Sequence, residues 1–141
     1  LVRHGYARNT EEVFKKYLVP GKPGYVKKEK INLETAISLI HHAKGKAIVA
    51  HPVSLNIGTF REFEEEMLRF HSMGVAGIEA FASMHDESQV KRFTDFARKH
   101  DLIVSGGSDF HGDKHERLGY YGTTRPIPWD IWEPLSASLG L

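Results

Sequence analysis

The sequence predicts an α/β fold built on parallel strands. Two observations carry that expectation. Short apolar runs of the kind buried inside sheets recur at "KAIVAHP", "VAGIEAF" and "DLIVSGG". Between them lie stretches with helical apolar spacing, so strand and helix alternate with crossovers of roughly twenty residues, as βαβ units require.

The elements follow in order. Thr10 reads as an N-cap, with Glu11 and Glu12 in the first turn and Val13, Phe14, Tyr17 and Leu18 on one face, until Pro20 and Gly21 end the helix. "PGKPGYVKKEK" places proline and glycine at turn spacing among four lysines and reads as a loop ordered by Tyr25 and Val26. From Asn32, "LETAISLIHHA" sets Leu33, Ala36, Ile37 and Ile40 at helical spacing, with Gly45 as the stop. The strand "KAIVAHP" closes on a proline that cannot continue a ladder. Thr59 can cap "FREFEEEMLRFHSMG", whose Phe60, Phe63, Met67, Leu68 and Phe70 form an apolar stripe ended by Gly74. After the second strand, "DESQVKRFTDFARKH" turns Val90, Phe93, Phe96 and Ala97 inward before the third strand. In the tail, a short helix is expected to pack Trp129 and Trp132 against the sheet.

At 141 residues the chain is long enough to bury a core unaided. It has no cysteine, which excludes disulfides and thiolate metal sites, so any metal must be held by imidazole and carboxylate. No stretch approaches the roughly 18 apolar residues of a membrane span, and "LVRHGYARNT" lacks the features of a signal peptide, so a cytoplasmic protein is expected. A net charge of +1 argues against a surface coated by nucleic acid, yet residues 1–30 carry eight Lys or Arg against three Glu, enough for a local anion site. The chain begins at Leu1 without an initiator methionine and reads as a piece of a longer protein.

In parallel α/β sheets, function gathers at the carboxyl ends of the strands. The first run delivers His51 there, the second Glu79 with His85 in the next loop, and the third Asp109 and His111. If the chain stays extended, Asp109 and His111 share a face and Phe110 points away to pack. Pro52 pins His51, and Gly106 and Gly107 permit close approach at a crowded strand end. Each residue has a plain structural alternative; their joint placement favours a metal or catalytic site. With nitrogen and oxygen donors the candidates are zinc, manganese or iron(II), suited to hydrolysis by activated water. His4, His41, His42, His71 and His100 fall on or beside helices, and His115 lies in a charged loop; none is expected to be a ligand.

Taken in order, "RHGYARNTEEVFKKYLVPGKPGYV", "AIVAHP", "GIEAFASMHDESQ" and "SGGSDFHG" resemble the second half of a PHP-family (polymerase and histidinol phosphatase) phosphoesterase, over nearly the whole chain. The likeness is greatest to the branch of 3',5'-nucleotide bisphosphate phosphatases and the exoribonuclease RNase AM. It implies residues 1–32 as a helical insertion with a basic loop, and residues 33–141 as the C-terminal part of a distorted (β/α)₇ barrel. It implies a centre of up to three divalent ions with His51, Asp109 and His111 among the ligands, Asp109 and His111 being the catalytic pair. Glu79 and His85 match positions that support the ligands or contact phosphate, while Lys22 and Tyr25, and Arg125 in the tail, become candidate substrate contacts. The implied substrate is a small nucleotide bisphosphate or a short oligoribonucleotide end. The family's N-terminal ligand motifs do not occur here, so half a site is expected, completed by a missing half-barrel, with open strand edges also able to self-associate. The alternatives are a non-catalytic α/β fragment that binds anions or is purely structural, and a PHP phosphatase for another ester such as histidinol phosphate.

Overall fold

The computed structural model describes residues 1–112, 117–122 and 124–141. The chain divides into two compact units, Leu1–Asn32 and Leu33–Leu141.

In the first unit, α1 (Thr10–Val13) continues into a wider π turn over Phe14–Leu18. Thr10 is not its cap. Asn9 is extended and its side-chain oxygen accepts from the Glu12 N–H at 2.9 Å, which a residue already inside the first turn cannot do. The Glu12 carboxyl is held down to about 2, first by Lys16 and then by Arg8. Glu11 pairs with Lys15, so Lys22, Lys27, Lys28 and Lys30 supply the charge of the following loop.

The second unit runs α2 (Leu33–His42), β1 (Ile48–Val49), α3 (Phe60–Ser72), β2 (Gly77–Ala82), α4 (Glu87–Lys99) and β3 (Ile103–Gly107). Then come a short antiparallel pair, β4 (Tyr120–Tyr121) and β5 (Arg125–Pro126), and α5 (Trp132–Leu139). The three main strands lie in sequence order, β1-β2-β3, all parallel, as the alternation predicts. Both long helices open with reciprocal capping boxes, Thr59 with Glu62 and Asp86 with Gln89, which satisfy the free N–H groups of their first turns. Gly77 occupies a place only glycine can fill, since a Cβ there would sit 2.5 Å from the Ile103 carbonyl oxygen on β3.

The core forms where α3 and α4 cover the sheet, around Phe63, Met67, Ile78, Phe93, Phe96 and Ala97. A smaller cluster of Ile37, Ala47 and Val75 lies beside α2. Among the described residues, β2 is the strand buried along most of its length. β1 and β3 are half-buried because, in a three-stranded sheet, each has an unpaired edge. Leu68 is exposed rather than part of the α3 stripe, one position beyond the arc that Phe63 and Met67 define. Trp129 stands 82% exposed on a 3₁₀ turn with its ring 6.3 Å from that of Trp132, so the contact of the tail with β3 is made by α5 and not by this tryptophan.

Candidate functional site

β2 does not pair evenly with β3. The register runs Glu79 to Ser105 and then Phe81 to Gly106, leaving Ala80 as an extra residue in a bulge. The Ala80 carbonyl instead accepts from His85 Nδ1 at 2.8 Å. That contact requires the proton on Nδ1 and leaves Nε2 at the far side of the ring. His85 is 2% exposed, its ring packs 4.9 Å from Phe93, and its Nε2 has no hydrogen-bond partner among the described residues. Burial lowers its pKa below the usual histidine value, only partly opposed by the Ala80 bond and the nearby Glu79 charge, which favours the neutral ring. A neutral ring with Nδ1–H bonded to a carbonyl presents Nε2 as a bare acceptor.

Glu79 does not end its strand as expected but lies inside β2, next to the bulge, and reaches both neighbouring strands. Its Oε2 accepts from the His51 backbone N–H at 2.7 Å, just beyond β1. Its Oε1 lies only 2.8 Å from where a Cβ on Gly107 would be, at the end of β3. Gly107 is thus required by the carboxylate in front of it. His51 takes up a left-handed backbone, φ 27°, rare for a residue with a side chain, and the Glu79 bond holds it there. The His51 ring is fixed in turn by Ser54, whose Oγ is 3.0 Å from Nδ1. This leaves Nε2 as the nitrogen available to a ligand.

Beyond Gly107 the chain does not remain extended. Asp109 has φ 53°, and its carbonyl oxygen lies 2.5 Å from His111 Nδ1, with Asp109 Oδ1 at 3.9 Å from the same nitrogen. The two side chains meet through a turn, not through strand alternation, and Phe110 is consequently 51% exposed and anchors nothing from behind.

Arg125, on β5, donates from Nη2 to the His85 carbonyl at 3.1 Å and stacks 4.5 Å from the Tyr121 ring. Ser83 ties the same region together: its hydroxyl donates to Ser108 O at 2.8 Å and accepts from Gly122 N–H at 3.2 Å. Hydrogen bonds therefore join His51 to Glu79 and His85 to Arg125, and Glu79 is packed against Gly107. Lys22 and Tyr25 belong to the first unit, where Tyr25 lines a hollow with Phe14 and Leu18. Among the histidines set aside, His42 and His71 bond to Ser38 O and Val75 O, and His100 packs on Phe96. His115 lies outside the described residues.

The donors are right in kind for zinc, manganese or iron, but short in number. Among the described residues no group of three or more His, Asp or Glu is gathered closely enough to hold a metal ion. His51, Asp109 and His111 do not make a closed site by themselves. Ser54, the Ala80 bulge and Ser83 were not singled out from the sequence. Only Ser54 carries a local signal, a hydroxyl three residues after His51 where a proline opens a tight turn.

No family model matches the chain. It is similar to the 3',5'-nucleoside bisphosphate phosphatase of Chromobacterium violaceum, 37% identical over 99% of this chain and 49% of that protein. It is also similar to the 5'-3' exoribonuclease Rnm of Escherichia coli, 34% identical over 95% of this chain and 43% of the relative. Among solved structures, a Bifidobacterium adolescentis protein assigned as a metal-dependent phosphoesterase superposes with a TM-score of 0.70, at 22% identity, over 98% of this chain and 47% of its own. That last likeness speaks for the α/β fold. The chain spans about half the length of the curated relatives it matches.

Proposed function

We propose that the chain is the C-terminal portion of a PHP-type metal-dependent phosphoesterase acting on a 3',5'-nucleotide bisphosphate or a short RNA end. The observation that carries the reading is a cluster at the sheet edge: a carboxylate from within β2 braced between His51 and Gly107, beside a buried imidazole with one nitrogen unused among the described residues. The names of the two relatives, a nucleoside bisphosphate phosphatase and an exoribonuclease, supply the substrate class.

In this reading His51 through Nε2, with Asp109 and His111, would contribute to holding up to three divalent ions, the remaining donors lying outside this chain. Bound ions of this type polarise a phosphoryl oxygen and lower the pKa of water. The chain's own groups prepare the ground. Ser54 sets the His51 ring, and Glu79 fixes its backbone, so the imidazole is aimed before a ligand arrives. His85, neutral, with a buried Nε2 that is unpartnered among the described residues, would accept a hydrogen bond from a substrate hydroxyl or a protonated phosphate once the surrounding loops admit it. Arg125, beside it, is the cation that offsets charge developing on the phosphoryl oxygens. Lys22 and Tyr25 serve as further contacts to phosphate or base. The chain alone is expected to be inactive.

The test uses the full-length protein. Asp109→Ala is expected to reduce manganese-dependent phosphate release from adenosine 3',5'-bisphosphate by more than the roughly 10- to 100-fold that follows when only a group behind a metal ligand is changed. Undiminished activity would refute the assignment. One observation favours a second reading, a non-catalytic anion-binding module: the absence of a three-donor group among the described residues. Full-length protein that retains no stoichiometric divalent ion after dialysis and hydrolyses neither substrate would establish it.

A further inference from the structure

A second cavity, of about 450 Å³, opens between the loop after β1 and the first turns of α3 and α4. Its volume lies in the range of small-molecule sites. Its wall mixes apolar and polar groups. Pro52, Ile57, Phe60 and Phe93 supply apolar and aromatic lining; Gln89 and Arg92 from α4, with Asn56 and Thr59 from the loop, supply polar groups. No Asp or Glu is among the lining residues. Glu62, in the first turn of α3, has its carboxylate committed to Thr59, accepting from both N–H and Oγ1 at 2.8 Å.

Arg92 has no carboxylate partner among the described residues. Its guanidinium lies 5.4 Å from the centre of the Phe60 ring, so the cation is steadied by an aromatic face while its N–H edge stays open. Gln89 uses Oε1 to accept from Asp86 N–H, which leaves the NH₂ end of the amide able to donate. A cavity with aromatic lining, side-chain donors and a cation without a carboxylate partner among the described residues suits a ring that carries an anion. It shares walls with the candidate catalytic cluster, since Pro52 follows His51 directly and Phe93 packs on His85.

We propose that this cavity is a nucleoside monophosphate subsite, with the base against Pro52, Ile57 and Phe93 and the phosphate on Arg92 and Gln89. The preference for a nucleotide over other aromatic anions rests on the phosphoesterase reading; the pairing of ring and anion does not. In an RNA-end substrate the occupant would be the nucleotide next to the one being hydrolysed.

The test is calorimetric titration of the full chain with adenosine 5'-monophosphate, adenosine and ribose 5-phosphate, all in EDTA so that metal binding plays no part. The monophosphate should bind more tightly than either fragment of itself. Arg92→Gln should weaken it roughly tenfold or more, the loss expected for one charge-assisted contact, and leave adenosine unchanged. Arg92 is exposed and outside the core, so this variant should fold. The proposal is overturned if the monophosphate does not bind, if Arg92→Gln leaves its affinity unchanged, or if ribose 5-phosphate binds as tightly. Failure here leaves the metal-dependent activity of Asp109→Ala to be judged separately, and the reverse also holds.

Discussion

Gly107→Ala tests the brace beneath the site. An added Cβ would meet Glu79 Oε1 at 2.8 Å, where ordinary contact begins at 3.4 Å, so the carboxylate has to retreat. It cannot do so without stretching the 2.7 Å bond from the His51 N–H. That bond has an ionised acceptor, for which the net contribution is about 1.5–3 kcal/mol, and it also holds a left-handed residue that costs about 1–3 kcal/mol when left unsupported. Because Glu79 is only half-buried and its end can swing toward water, the low end applies, and we expect a loss of about 1.5 kcal/mol. Urea unfolding followed by circular dichroism measures it. A double-mutant cycle assigns the cause: in a Glu79→Ala background, Gly107→Ala should cost less than about 0.5 kcal/mol, since the atom it strikes is gone. Equal cost in both backgrounds would refute the brace.

Gly77→Ala differs in kind, because the obstacle is the Ile103 backbone and not a side-chain end; a loss of at least about 2 kcal/mol, or failure to yield folded protein, is expected from the same unfolding assay. Met67→Ala removes a fully buried side chain from the α3 face of the core and should cost about 2–5 kcal/mol by urea midpoint. His85 has a folded pKa below its unfolded value, first because of burial, so the unfolded chain binds the proton more readily. Its contribution is full above the unfolded value of about 6.5 and is lost as pH falls through the folded pKa. The drop in urea midpoint between pH 7.5 and pH 5.5 should therefore be smaller in His85→Asn than in the parent; an equal drop would contradict the reasoning.

Much of the second unit was legible because its signals are local. Val90, Phe93, Phe96 and Ala97 recur at helical spacing behind an Asp86-Gln89 capping pair, and all four are buried as that spacing requires. The positions of His51 and of the Asp109-His111 pair just beyond strand ends follow from alternation alone, whereas Glu79, expected to end its strand, lies inside β2, which runs on to Ala82. What could not be read was set by contacts distant in sequence. The Ala80 bulge depends on how β2 meets β3, and the β4-β5 pair depends on Gly122 and Arg125 finding Ser83 and His85. The departure from extended backbone at Asp109 likewise overrides a two-residue periodicity that holds only while a strand continues. Trp129 was misplaced because a large apolar residue is ordinarily assigned to the interior, whereas a 3₁₀ turn before α5 holds it outward.

The hydroxyl of Ser83 has a kinetic implication. It closes one loop to Ser108 and another to Gly122, segments 25 and 39 residues away along the chain. Neither closure is rewarded until the sheet that separates them exists, so both come after the helices have formed and β2 has met β3. The region around His85 is then among the last parts of the unit to assemble and among the first to open. Amide exchange should find Gly122 N–H released at a lower free energy than the N–H groups of β2, which makes this corner the place where the fold is most readily reshaped by what it binds.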